Sequence, residues 1–160
     1  MVSIQEKIFQ LDALVSQVDD WKANGQKIVF TNGCFDLIHR GHLDYLSKAK
    51  GLGNKLILGL NSDNSVKRLK GEERPINDQL SRAELIASLY FVDAVVIFEE
   101  DTPARLISSV VPNILVKGGD YEVKEIVGYD TVTQNGGEVL TIPFLDGFSS
   151  TNLIEKIKKL

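Results

Sequence analysis

The chain has 160 residues, 43% of them hydrophobic, which is enough for a single domain over residues 1–160 with its own core. A formal net charge of −4 offers no basic field to a polynucleotide backbone, so a nucleic-acid partner is not expected. A single cysteine cannot form an internal disulfide, no secretory leader pattern is present, and no apolar run approaches the roughly 20 residues that span a bilayer. We therefore expect a cytoplasmic protein without a membrane partner.

Apolar runs alternate with helical patterns along the chain, which predicts an α/β fold built on an open parallel sheet of about five strands with helices on both faces. Residues 1–25 are predicted to be a leading helical extension. Strands are predicted at 27–31, 55–60, 94–98, 114–117 and 139–142. Helices are predicted at 41–51, 78–91, about 103–110 and after 151, with a charged polar loop at 61–75. The closing helix should bury Leu153, Ile154 and Ile157.

The segment from Thr31 to His42 connects the first long apolar strand to a helix. Unpaired amides at a helix N-terminus attract anions, and Gly33 and Gly41 permit close approach of the backbone to a phosphate. His39 and His42 are three residues apart, so both rings point to one side and can donate hydrogen bonds to oxygens that gain charge in phosphoryl or nucleotidyl transfer. This segment is therefore predicted to hold the phosphates of a nucleotide.

A metal site is the alternative interpretation of the two histidines. Cys34 and Asp36 would have to complete the ligand set, and their spacing matches none of the familiar zinc patterns. We therefore predict no protein-held metal, and we expect Cys34 to pack as a small residue.

Three later segments also follow predicted strands or precede a helix, and each has a simpler explanation. Lys67 and Lys70 lie in the charged loop, which is commonly just solvated. Lys117 precedes two glycines and suits contact with a phosphate or sugar, although a structural turn has the same composition. The hydroxyl residues 149–151 can cap the last helix or bind a phosphate.

Asn32-Gly33-Cys34-Phe35-Asp36 followed by His39-Arg40-Gly41-His42 resembles the signature of the cytidylyltransferase-like nucleotidyltransferases. Further matches extend through segments 61–63, 67–71, 74–75, 98–103, 117–121 and 146–152. The resemblance implies a Rossmann-like nucleotidyltransferase fold and an enzyme that joins a nucleoside triphosphate to a phosphorylated small molecule, with Mg²⁺ arriving on the nucleotide. Within the family the motifs are most similar to adenylyltransferases of bacterial heptose activation. These transfer AMP from ATP to D-glycero-β-D-manno-heptose 1-phosphate and yield ADP-heptose for lipopolysaccharide or other surface glycans.

The resemblance also assigns roles to individual residues. It implies catalytic roles for His39, His42 and Lys70. It implies nucleotide contacts for Thr31, Asn32, Gly33, Cys34, Phe35, Gly41, His42, Lys117, Gly147, Phe148, Ser149, Ser150 and Thr151. It implies substrate contacts for Asp36, Asp63, Lys67, Arg82, Gly118 and Asp120. For Arg82, ordinary ion pairing on a helix surface is an equally good explanation.

One departure from the family pattern bears on the choice of nucleotide. Cytidylyltransferases commonly carry an Arg-Thr pair where this chain has Phe144-Leu145, and a threonine where it has Ser150. Without that arginine, ATP is favoured over CTP. The alternatives are a cytidylyltransferase acting on glycerol 3-phosphate or another polyol phosphate, and a non-catalytic nucleotide sensor, which would not need charge placed for a transition state. The resemblance further implies a homodimer, and a separate heptose kinase would supply the sugar phosphate.

Overall fold

A computed structural model describes residues 3–160, in which six strands form one sheet with helices on both faces. The strands are β1 (Ile8–Phe9), β2 (Ile28–Gly33), β3 (Lys55–Asn61), β4 (Ala94–Phe98), β5 (Ile114–Gly118) and β6 (Glu138–Ile142). The helices are α1 (Leu11–Ala23), α2 (Arg40–Lys50), α3 (Asp63–Lys70), α4 (Gln79–Ala87), α5 (Ala104–Val110), α6 (Tyr129–Gln134) and α7 (Ser150–Ile157). Short 3₁₀ helices occupy Gln5–Lys7 and Val123–Glu125.

The sheet order is β1-β4-β3-β2-β5-β6, and every neighbouring pair is parallel. From β2 the chain winds outward through β3 and β4, then crosses to the other side of β2 for β5 and β6. The carboxyl ends of β3, β2 and β5 therefore lie side by side where the winding direction reverses. This is the position at which open α/β sheets bind ligands.

Each face of the sheet carries its own apolar core, because parallel strands are buried on both sides. Leu46 of α2 and Ile86 of α4 belong to one cluster, whereas Leu14 of α1, Ile107 of α5 and Val132 of α6 belong to the other. The leading helix thus packs on the sheet of its own chain. Within residues 3–160, no helix combines the length and the apolar composition that a membrane crossing needs.

Trp21 lies in the last turns of α1, at the amino-end edge of the sheet. The Nζ atom of Lys55, the first residue of β3, is 5.1 Å from the centre of the indole ring. This edge is opposite to the one where β2, β3 and β5 end.

The α/β class, the open parallel sheet and the helices on both faces confirm the predicted fold. About five strands were predicted, and the sheet has six. Ile8 and Phe9, which were assigned to the leading helix, instead pair with Val95 and Val96 of β4 at the sheet edge, and α1 begins only at Leu11. A two-residue strand is too short to produce an alternation pattern. Met1 and Val2 of the predicted extension lie outside the described residues.

Four predictions about helices were also wrong. The predicted loop 61–75 contains α3, and α6 lies where no helix was expected; each is short and buries only one or two side chains, so its apolar periodicity is weak. The helix predicted to reach residue 91 ends at Ala87. Leu153 and Ile157 of α7 are 37% and 62% exposed and Ile154 is only half-buried, because α7 attaches to the domain near its N-terminus.

Candidate active site

A cavity of about 720 Å³ opens at the carboxyl ends of β2, β3 and β5. The predicted site residues in its wall are Asn32, Gly33, Cys34, Phe35, Asp36, His39, Gly41, His42, Lys70, Lys117, Gly118, Phe148, Ser149, Ser150 and Thr151. Six other predicted site residues do not line it: Thr31, Asp63, Lys67, Arg82, Asp120 and Gly147. The structure therefore brings the two histidines, two lysines and the start of α7 together in one cavity.

The two histidines are held by the backbone at the start of α2. His39 is the N-cap residue, and its Nδ1 accepts a hydrogen bond from the Gly41 amide at 3.1 Å. The Nδ1 of His42 accepts from the His39 amide at 3.4 Å, and the two rings stack with their centres 3.9 Å apart. Because both Nδ1 atoms act as acceptors, each neutral ring carries its proton on Nε2. These two Nε2–H groups remain as donors for an anion.

Both imidazoles are neutral at pH 7. Burial lowers the pKa of His39. Burial, together with the adjacent His39, lowers the pKa of His42 to about 4. In the free site the rings are thus hydrogen-bond donors without net charge, and a bound triphosphate would favour their protonation, since negative charge stabilises imidazolium.

The two glycines of the motif make room for aromatic rings. A Cβ atom at Gly33 would lie 2.7 Å from the ring of Phe35, whose own φ of 45° is in the left-handed region. A Cβ atom at Gly41 would lie 3.0 Å from the His39 ring and 3.1 Å from the Cβ of Phe148. The glycines therefore have a second function beside the predicted close approach to a phosphate.

Two lysines line the cavity from opposite sides of β2. Lys117 is half-buried near the end of β5, burial lowers its pKa, and its Nζ lies 5.9 Å from the centre of the Tyr121 ring. Lys70 is the last residue of α3. Lys67, one turn earlier, is exposed and outside the cavity wall. The geometry thus favours Lys70 over Lys67 as the ligand-binding lysine of this segment.

The three hydroxyl residues at the start of α7 have different contacts. The Ser149 Oγ accepts from the Asn152 amide at 3.0 Å and caps the helix. The Ser150 Oγ donates to the Leu37 carbonyl at 3.1 Å and fastens α7 to the loop after β2. Thr151 also lines the cavity, so capping does not prevent the segment from facing a ligand.

Arg82 lies beneath the cavity and not in its wall. It is 0% exposed, and its Nε donates to the Asn77 carbonyl at 3.0 Å. Its Nη1 donates to the carbonyls of Cys34 and Asn61 at 2.7 and 2.8 Å, and its Nη2 donates to the Asp63 carboxylate at 2.7 Å. These bonds connect the ends of β2 and β3 with the starts of α3 and α4. The Arg82 guanidinium is thus bonded to protein acceptors, and the substrate contacts predicted for Arg82 and Asp63 stay predictions.

The carboxylate of Asp36 is likewise occupied by the protein. It accepts hydrogen bonds from the Arg74 Nε at 2.7 Å and from the amides of Ile76 and Asn77 at 2.8 to 2.9 Å. Burial opposes ionisation, but these donors outweigh it and lower the pKa of Asp36. Asp36 thus fixes the segment after α3 against the loop after β2.

Tyr45, three residues after His42 on α2, lines the cavity but was not among the predicted site residues. Its hydroxyl is 2.6 Å from the Thr31 Oγ1 and donates to the Val116 carbonyl at 3.2 Å. Burial raises the pKa of Tyr45 to about 12. Tyr45 therefore connects β2, α2 and β5 in the cavity wall, and its hydroxyl pairs with that of Thr31, which was predicted to contact the nucleotide. Its spacing from His42 places it on the same helix face, which was the available signal.

The donor set also bears on Mg²⁺. In the part of the chain that the structure describes, no three His, Cys, Asp or Glu side chains converge as metal ligands. Mg²⁺ commonly takes phosphate oxygens and waters as most of its ligands. The cavity wall combines imidazole and ammonium donors with the separate carboxylates of Asp36, Asp101 and Glu125, so it fits a magnesium–nucleotide complex better than a bare cation.

Comparison with known proteins agrees with this geometry. A family model described as cytidylyltransferase-like matches residues 30–156, which include every residue that lines the cavity. The chain belongs to the cytidylyltransferase-like family. It is accordingly a nucleotidyltransferase.

Two similar relatives are each named bifunctional protein HldE. The one from Coxiella burnetii (strain RSA 493 / Nine Mile phase I) is 56% identical over 145 residues, which cover 91% of this chain and 30% of that protein. The one from Geobacter metallireducens is 56% identical over 151 residues, covering 94% of this chain and 31% of that protein. The chain thus spans about a third of the length of these relatives.

Two solved structures share the fold. The lipopolysaccharide core biosynthesis protein from Thermoplasma volcanium GSS1 is 30% identical, with a TM-score of 0.62 over 76% of this chain and 98% of that one. Pantoate-beta-alanine ligase from Francisella tularensis has a TM-score of 0.58 at 15% identity over 96% of this chain and 78% of that one, and its likeness concerns the fold alone.

Proposed function

We propose that this chain transfers AMP from ATP to D-glycero-β-D-manno-heptose 1-phosphate, giving ADP-heptose and pyrophosphate. The observation that carries the proposal is the convergence of the two imidazoles, Lys70, Lys117 and the start of α7 on one cavity. Such an arrangement suits a reaction in which two anionic phosphates must be brought together.

The proposed reaction is a direct displacement. A phosphate oxygen of the acceptor attacks the α-phosphorus of ATP, a new phosphorus–oxygen bond forms, and the bond to the β-phosphate oxygen breaks as pyrophosphate leaves. The protein supplies no nucleophile. Its task is to align the two phosphates and to offset their charge, which is the main contribution of proteins to phosphoryl transfer. When bound with the nucleotide, Mg²⁺ would supply further positive charge.

We expect the two imidazoles to accelerate the proposed transfer. Their Nε2–H groups donate to phosphate oxygens, and these hydrogen bonds strengthen as negative charge develops on the leaving pyrophosphate. Lys70 ends the helix that follows β3, the histidines follow β2, and Lys117 lies in β5. The two lysines therefore lie on opposite sides of the histidines and would bind opposite ends of the phosphate chain.

Phe144 supports ATP as the nucleotide. The side chain is 56% exposed, lies in the cavity wall and rests on Gly118, where a Cβ atom would be only 2.5 Å from the phenyl ring. The exposed ring offers an apolar surface to a purine, whereas an arginine at this position would read the polar edge of a pyrimidine.

The sugar assignment depends on the relatives. Their name, HldE, and the lipopolysaccharide core biosynthesis protein among the solved structures support a heptose phosphate in surface-glycan synthesis. In this proposal a kinase supplies the heptose 1-phosphate, and the reaction takes place in the cytoplasm, where ATP is made.

The test is Mg²⁺-dependent pyrophosphate release from ATP or CTP, each offered with the heptose 1-phosphate or with glycerol 3-phosphate. We expect release only from ATP with the heptose phosphate, and a His42→Ala variant should be at least about a hundredfold slower while remaining folded. Release from CTP with glycerol 3-phosphate would overturn both substrate assignments. Nucleotide binding without turnover of any pair would favour a sensor.

A further inference from the structure

Four aromatic side chains form a continuous column along one side of the cavity, and we call it the aromatic column: Phe35, His42, His39 and Phe148. The ring centres of Phe35 and His42 are 5.1 Å apart, those of His42 and His39 are 3.9 Å apart, and those of His39 and Phe148 are 6.4 Å apart. The last three rings are nearly parallel, with interplanar angles of 23° and 24°. Both histidine rings are therefore enclosed between two phenyl rings.

Phe148 differs from the other three members because it comes from a distant part of the chain. Phe35, His39 and His42 belong to the loop after β2 and the start of α2, whereas Phe148 immediately precedes the cap of α7. Two features hold it there. Ser150 donates a hydrogen bond to the Leu37 carbonyl. Gly41 has no Cβ, and a Cβ at that position would lie only 3.1 Å from the Cβ of Phe148, so the glycine permits the close approach of Phe148.

The hydrogen bonds of His39 leave its ring incompletely fixed. Its Nδ1 accepts from the Gly41 amide, which restrains one point of the ring but still permits the plane to swing about that contact. Contacts on both faces remove this freedom, with His42 on one side and Phe148 on the other. The 6.4 Å between the ring centres of His39 and Phe148 is in the attractive range of about 4.5 to 7 Å for aromatic pairs.

We infer that Phe148 is a positioning residue for His39, so that docking of the closing segment, residues 147–151, completes the histidine pair. The inference rests on the proposed nucleotidyl transfer, because it gives Phe148 its effect through the direction of the His39 Nε2–H. Phe148 was expected to contact the nucleotide, and the inference gives it a different role. A nucleotide contact would act on ATP affinity, whereas a positioning contact acts on the rate of the chemical step.

The kinetic test is Phe148→Ala. We expect kcat to fall at least about tenfold, since small misplacements of reacting groups can cost up to a hundredfold, while KM for ATP changes less than about threefold. Phe148→Tyr keeps the ring and should stay within about twofold of the wild type. Phe148→Leu keeps apolar bulk without a planar ring and should be as slow as the alanine variant. Leu153→Ala, an exposed apolar change on α7, is the matched control and should leave kcat unchanged.

The second test needs no substrate. His39 and His42 are the only histidines of the chain, so an NMR titration of imidazole resonances contains two curves. In Phe148→Ala the pKa of His39 should rise toward its ordinary value because one face of the ring becomes hydrated, and the shift of His42 should be smaller. Arg40 and His42 are the charged or titratable neighbours of this end of the column, and both remain in every variant.

The outcomes that overturn the inference are distinct from those that overturn the proposed function. An unchanged kcat in Phe148→Ala, full activity of Phe148→Leu, a loss confined to KM for ATP, or an unchanged His39 titration would each refute the positioning role. If the wild type releases no pyrophosphate from ATP and the heptose phosphate, the proposed function fails, and the NMR titration still decides the role of Phe148.

Discussion

Replacing Arg82 by methionine should destabilise the protein severely while leaving the cavity wall chemically intact. Methionine retains most of the apolar stem but removes the guanidinium, so three backbone carbonyls and one carboxylate lose their donors. Asp63 is about one-third exposed and can be rehydrated, whereas the carbonyls face the buried guanidinium. Removing one member of a buried charged network costs about 3–5 kcal/mol, and we expect the free energy of unfolding to fall by that amount.

The assay is urea denaturation followed by circular dichroism. With a urea dependence of about 2 kcal/mol per molar, the midpoint should fall by roughly 1.5–2.5 M, and the melting temperature should fall by about 6–20 °C. Arg105→Met is the matched control. Arg105 is exposed and its guanidinium donates to the exposed Glu100, so its replacement should cost less than about 1 kcal/mol.

The kinetic behaviour of Arg82→Met separates the two interpretations of this residue. If Arg82 supports the site from below, the folded variant should lose activity mainly through its unfolded fraction. A variant whose unfolding free energy stays within 1 kcal/mol of the wild type, with KM for the sugar phosphate strongly raised, would refute the structural role and restore a substrate contact.

Three further predictions concern the cavity itself. The His42 ring should titrate near pH 4 by NMR. Because an unfolded histidine has a pKa near 6.5, its contribution to stability is complete above that pH and is lost as the pH falls toward 4, by roughly 2 kcal/mol after allowance for partial exposure. His42→Gln should lack this loss, and parallel pH–stability curves of the two proteins would contradict it. Gly118→Ala should raise KM for ATP by displacing the Phe144 ring, and its effect should be much smaller in a Phe144→Ala background, where the nearest remaining contact is Tyr45 at 3.3 Å; additive effects in this double-mutant cycle would disprove the packing argument. Lys70→Ala should slow pyrophosphate release at least about tenfold and Lys67→Ala less than about twofold, and equal effects would show that the cavity wall has been misassigned.

The central part of the fold could be predicted because its signals are local. Strands buried on both faces produce continuous apolar runs, and β4 was predicted at its observed bounds. The motif from Asn32 to His42 combines a strand end, glycines and a helix start within a few residues. Its position at the end of β2 therefore followed from order along the chain alone.

The parts that sequence analysis missed depend on contacts between distant residues. Arg82 bonds to Cys34 and Asn61, which are 48 and 21 residues away, and nothing next to Arg82 indicates that its guanidinium is buried. An arginine four residues after an aspartate, as Arg82 is after Asp78, is equally typical of a solvated helix surface. The edge strand β1 depends in the same way on β4, which lies 85 to 90 residues later in the chain.

The position of Trp21 has a practical consequence for spectroscopy. Trp21 is the only tryptophan of the chain, and its neighbour Lys55 begins β3, whereas Asn61 at the other end of that strand lines the cavity. The strand separates these two ends by about 20 Å. The intrinsic emission of the protein therefore reports the integrity of the α1 side of the fold and stays silent on occupancy of the cavity. Unfolding and ligand binding can thus be followed in one cuvette as independent optical signals, provided that the nucleotide carries its own fluorophore.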